Sequence, residues 1–145
     1  MDTLSAPRTA TFRLVAVLAL AWNLIGLAMF WMQMNMTPEQ LAELTEGQRK
    51  VNALMPQWLW WIDGIAVGTG VIASILLIMR KRLSVAFFMI SLVAIVVLFS
   101  SGMVITDMIQ NVGATEALTM PITVTVIAIA LLWYARRANA KGWLS

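Results

Sequence analysis

The chain has 145 residues, 61% of them hydrophobic and only 12% charged, with a formal net charge of +3. Soluble domains average about 45–50% apolar and about 25% charged, and a globule this small could not bury so much apolar surface, so a soluble single domain is excluded. Cysteine and histidine are both absent, which removes disulfides, thiolate nucleophiles and every zinc, haem or acid–base site built on those two residues.

A helix needs about 20 mostly apolar residues to cross the hydrocarbon core of a bilayer. Four stretches qualify, at residues 14–32, 58–79, 83–106 and 117–135, and none contains Lys or Arg. Runs such as 71–79 and 90–99 lack the alternation of barrel strands, so the spans are predicted to be helices. In the first span Ala19-Leu20-Ala21 fits a signal-peptidase site formally, but the apolar stretch continues to Met32, so the span is expected to be retained.

The connection after the first span is the only long one. Thr37-Pro38-Glu39-Gln40 reads as N-cap, proline at the first helical position, an acid in the first turn and a capping-box glutamine, and Thr45 and Gln48 repeat the spacing. Two short helices are therefore predicted, near 38–44 and 46–55, within an outer cap over 37–56 that carries Leu41, Leu44, Val51, Leu54 and Met55 as its apolar side. Spans two and three are joined by Arg80-Lys81-Arg82 as a tight hairpin, while 107–116 reads as a short turn through Asn111 and Gly113.

Orientation follows from the basic residues. Arg8, Arg13, Arg80, Lys81, Arg82, Arg136, Arg137 and Lys141 fall in three segments that four spans place on one side, leaving only Arg49 and Lys50 on the other. The positive-inside rule puts both termini in the cytoplasm. The three clusters face lipid headgroups, so the basic pI of about 10.0 is not read as nucleic-acid binding. Trp31, Trp58, Trp60 and Trp61 mark one interface, and Trp133, Tyr134 and Trp143 the other. The expected fold is an all-α membrane protein: one domain over 1–145, a four-span bundle with both ends inside.

Few polar residues inside the spans need explaining. Asp63 follows Trp58 by five residues, about 7–8 Å into the membrane; an acid at that depth is costly and usually faces a bundle interior or a wet cavity. Asn23 sits mid-span in a stripe with Ala16, Ala19 and Gly26 suited to close helix contact. Gly64 and Gly68 form a GxxxG pair on the second span, so spans one and two are expected to pack tightly with Asn23 and Asp63 on facing sides. Ser91, Ser100 and Ser101 are expected to bond to their own helix. Met32, Met34 and Met36 alternate in the manner of a thioether Cu(I) site.

Ala21-Trp22-Asn23-Leu24-Ile25-Gly26, Met36-Thr37-Pro38-Glu39-Gln40-Leu41 and Met55-Pro56-Gln57-Trp58 form three blocks. With Arg80-Lys81-Arg82 leading into 87–92, and Tyr134-Ala135-Arg136-Arg137 ahead of Lys141-Gly142-Trp143-Leu144, the pattern resembles a family of small four-span bacterial inner-membrane proteins often labelled sugar transporters. The resemblance covers nearly the whole chain. It implies the bacterial inner membrane, and it implies no catalytic or substrate-contacting residue; Asp63 and the methionines lie outside its pattern.

With no nucleophile–base pair and no phosphate-cradling loop, the chain is not expected to be an enzyme or to carry a cofactor. The leading expectation is an accessory or partner-binding subunit in the lipid bilayer, as a homo-oligomer or part of a larger membrane complex. The apolar segment 138–145 is a candidate docking site and is expected to lie on the membrane surface. The alternative is a small-solute transporter, for sugars or drug-like molecules, acting as an oligomer with Asp63 as its membrane carboxylate. A remote alternative is Cu(I) handling by the methionines.

Overall fold

The computed structural model describes residues 6–145, with side chains from Ala10 onward; the Arg8 side chain lies outside that range. Every regular element among the described residues is a helix: α1 (Ala6–Met34), α2 (Pro38–Glu43), α3 (Glu46–Leu54), α4 (Gln57–Ile78), α5 (Leu83–Ile105), α6 (Met108–Val112) and α7 (Ala114–Ala140). Helices α1, α4, α5 and α7 are long and apolar enough to cross a membrane, which makes this a multi-pass membrane architecture. Their centres coincide with the four expected spans. Helices α1 and α7 run further than hydropathy indicates. An apolar run ends at its first arginine, whereas a helix does not: Arg136 and Arg137 continue α7, with cations near its negative C-terminal end.

The short helices form for the reasons written in their first turns. Thr37 Oγ1 accepts from the Gln40 amide at 3.2 Å while the Thr37 amide donates to Gln40 Oε1 at 2.9 Å. Thr45 and Gln48 make the same reciprocal pair at 3.2 and 3.1 Å. The segment after α5, expected as a turn, contains α6 instead. Asp107 (φ 47°) and Gly113 (φ 88°) each reverse the chain, and the intervening residues wind one turn of helix. The Asn111 Nδ2 group donates to the Thr106 carbonyl at 2.8 Å and ties this turn to the end of α5.

The long helices pack in a row. Helix α4 lies against α5 and also against α1, and α5 lies against α7. Among the described residues, α1 and α7 make no contact of comparable extent. The two meet at the end of the bundle that carries Arg13, Arg80, Lys81, Arg82, Arg136 and Arg137, here called the basic end. There Phe12, Ala16, Leu77, Phe88, Leu132, Ala135 and Leu144 form a buried core.

Within residues 141–145, Trp143 and Leu144 pack onto that core, while Lys141, Gly142 and Ser145 stay exposed. Helix α7 stops in a Schellman motif: the Gly142 amide donates to the Asn139 carbonyl and the Trp143 amide to the Ala138 carbonyl, both at 3.0 Å, with Gly142 at φ 76°. The chain then folds under the bundle. The Arg82 amide donates to the Ser145 carbonyl at 2.9 Å, and the Ser145 amide donates to the Arg80 carbonyl at 2.8 Å. Leu144 is 2% exposed. The Trp143 ring meets Phe12 edge-on at 6.1 Å, Tyr134 meets it from the side at 6.2 Å, and the Arg80 guanidinium caps it at 4.7 Å. A segment this apolar is more stable under the helices than facing water. It works as a plug.

Candidate functional site

Beyond that core the four long helices line a cavity of about 830 Å³. Ligand cavities commonly fall between about 300 and 1,000 Å³. Helix α1 contributes Trp22, Asn23, Gly26 and Phe30, α4 contributes Trp60, Asp63 and Val67, and α5 contributes Ser91, Ile95 and Phe99. Met120, Thr123 and Ala128 of α7 complete the wall, and Leu44, Val51, Met55 and Val112 form the roof. Of the cap's apolar residues, Leu44, Val51 and Met55 are thus turned onto the cavity, whereas Leu54 is 50% exposed. At the rim, Gln48 Nε2 donates to Glu116 Oε1 at 2.6 Å, joining the cap to α7.

Asp63 lines this cavity, half-buried on α4. It forms no hydrogen bond and no ion pair among the described residues. Trp60, expected in the interfacial belt with Trp58 and Trp61, also lines the cavity. Trp58 and Trp61 remain outward, at 49% and 69% exposure.

Asn23 and Asp63 line the same cavity without facing each other, contrary to expectation. Asn23 Nδ2 donates to the Ser74 hydroxyl at 3.1 Å and to the Ala19 carbonyl at 2.8 Å. Ser74 lies eleven residues beyond Asp63 on α4, about 16 Å along the axis. The Ser74 proton is committed to the Gly70 carbonyl at 2.9 Å, so its oxygen can only accept, which fixes the Asn23 amide nitrogen towards it. The Asn23 carbonyl oxygen then lies against Gly70, in the space a Cβ would fill. Ser91 reaches the same region from α5, donating to the Ala66 carbonyl of α4 at 2.8 Å rather than to its own helix. Ser100 does bond to its own helix, at the Val96 carbonyl.

The glycines divide. A Cβ on Gly64 would come 3.3 Å from Phe30 Cζ, and one on Gly26 would come 3.8 Å from Val67 Cγ1. A Cβ on Gly68 would meet nothing within 4 Å, so the expected packing role of Gly68 is not realised. The close approach is at Gly70, which the GxxxG spacing passes over; the signal was present as Gly70-x-x-x-Ser74, another small-xxx-small pair. Gly47 was also missed: a Cβ there would overlap the Asn111 carbonyl, so the glycine lets α3 seat on α6.

Met32, Met34 and Met36 do not converge. Helix α1 continues through Met34, and residues two apart on a helix point about 200° apart. Met32 and Met34 are 64% and 51% exposed, whereas Met36 lines the cavity. No thioether cluster results. Among the described residues, no three His, Cys, Asp or Glu side chains gather where they could share an ion.

What this arrangement can do is hold a guest: apolar walls, aromatic rings, and a few polar atoms set apart from one another. Comparison of the chain with protein-family models, with curated proteins and with solved structures gives no match.

Proposed function

We propose that the chain is a non-enzymatic protein of the bacterial inner membrane, with both termini cytoplasmic, that takes a small lipophilic molecule into the cavity between α1 and α7. The observation that carries this reading is a cavity of about 830 Å³ with mainly apolar walls, lined by all four long helices, in which α1 and α7 are not a principal packing pair. A lipophile dissolved in the hydrocarbon phase reaches such a cavity sideways, without first crossing water. The gathering of Arg13, Arg80, Lys81, Arg82, Arg136 and Arg137 at one end supports the orientation, and the sequence resemblance to small four-span bacterial proteins supports the membrane.

A cavity inside one copy favours ligand binding over the accessory role expected from the sequence. It also favours it over a transporter that needs a second copy to enclose its path. Passage through the molecule would require the Phe12–Leu144 plug to part.

The test is binding of a neutral lipophilic probe, N-phenyl-1-naphthylamine, to purified protein in detergent, read as energy transfer from tryptophan. Trp22 and Trp60 sit on the cavity wall and act as donors. Saturable binding is expected, and it should be lost when Thr123→Trp and Ala128→Trp fill the cavity. Uptake that never saturates, or that matches empty micelles, would remove the proposal.

A further inference from the structure

Among the described residues, the ionisable ones on the cavity wall are Asp63 and Glu116, with no Lys or Arg. Both are acids, in a chain whose basic residues outnumber its acidic ones by ten to seven. Glu116 already accepts a hydrogen bond from Gln48 at the rim, and it is exposed. Asp63 has no partner among the described residues, and it lies six residues into α4, beneath the cap. A carboxylate in a mainly apolar cavity is disfavoured unless it takes up a proton or a counter-charge joins it. None of the described lining residues supplies that counter-charge, so a cationic guest gains an attraction here that no other guest does. Trp22, Phe30 and Trp60 add ring faces, which attract cations and cover apolar bodies equally well.

Resting on the ligand-binding reading above, we infer that the guest is a lipophilic monocation of drug-like size. Its positive centre sits at Asp63 and its apolar body lies against Trp22, Phe30 and Trp60. Two acidic groups disfavour an anionic guest such as a fatty acid. A neutral guest would gain nothing from the charge of Asp63. The amine headgroup of a phospholipid offers the same charge, but a two-chain lipid exceeds the cavity, and the roof of Leu44, Val51 and Met55 lies across the path to the headgroup layer.

The experiment compares two probes of nearly equal size and shape, tetraphenylphosphonium and tetraphenylborate, as competitors of N-phenyl-1-naphthylamine on the purified full-length chain. The cation should displace the neutral probe at a concentration at least tenfold lower than the anion. Asp63→Asn should weaken the cation at least tenfold and leave the neutral probe within twofold, whereas Glu43→Gln, exposed on α2 and off the cavity wall, should leave both within twofold. Phosphatidylethanolamine added to the micelles should not compete. Equal displacement by cation and anion, an unchanged cation affinity in Asp63→Asn, or competition by phosphatidylethanolamine would each overturn the inference. If Asp63→Asn does not fold, the cation–anion comparison on the unmodified chain still decides. Failure of the neutral probe itself to bind would strike the cavity reading, which separates the two claims.

Discussion

Gly68 and Gly70 lie two residues apart on α4, and alanine should act on them with opposite sign. At Gly70 the new methyl occupies the position of the Asn23 carbonyl oxygen and lies 3.4 Å from the Ser91 hydroxyl. Asn23 must leave, and its bond to Ser74 goes with it. A hydrogen bond between membrane helices is worth about 0.6–1.7 kcal/mol, and one methyl group forced into a packed interface adds about 1–3 kcal/mol. Gly70→Ala should therefore destabilise the fold by about 2–4 kcal/mol. At Gly68 the methyl meets nothing within 4 Å, and the helix gains up to about 1 kcal/mol from replacing glycine. Equilibrium unfolding in mixed micelles with rising dodecyl sulfate, followed by tryptophan fluorescence, measures both. Asn23→Ala should cost about 1 kcal/mol alone and rescue most of the Gly70→Ala defect, since it empties the contested space. A Gly70→Ala protein as stable as the parent, or a double variant whose losses simply add, would refute this account of the α1–α4 contact.

Two further outcomes are expected. Leu144→Ala should cost about 2–5 kcal/mol in the same assay, because its side chain is buried in the plug; a loss below about 0.5 kcal/mol would mean that residues 143–145 merely rest on the bundle. The chain contains no cysteine, so single substitutions report topology cleanly. In intact cells an impermeant maleimide should label Ala53→Cys at once and Ala140→Cys only after permeabilisation, and the reverse pattern would invert the proposed orientation.

The four long helices were legible because hydropathy over twenty residues is a bulk property that neighbouring helices do not alter. The cap helices were legible for a local reason: Thr37 with Gln40, and Thr45 with Gln48, satisfy one another within a single turn. What escaped the sequence depended on direction. Trp60 and Trp61 are adjacent and chemically identical, yet one lines the cavity and the other faces outward. In a helix hydrophobic on all sides no polar face marks which residue turns inward. Gly68 and Gly70 were confused for the same reason. Helix α6 was hidden because its boundaries are set by the left-handed conformations of Asp107 and Gly113 rather than by any apolar period. The plug was hidden because it is tertiary: nothing near Trp143 in the chain announces Phe12.

That pairing orders the assembly in time. Helices α4 and α5 are joined by four residues, 79–82, and can zip together as soon as both are in the membrane. Phe12 is made well before the rings that cover it, Tyr134 and Trp143. Contacts so distant in sequence form slowly, because a long loop must close before they reward it. The floor of the molecule is therefore laid after the α4–α5 hairpin above it. Until it is, α1 is held by α4 alone, and a nascent chain stalled before Trp143 would present a half-built vessel to the quality-control proteases of its membrane.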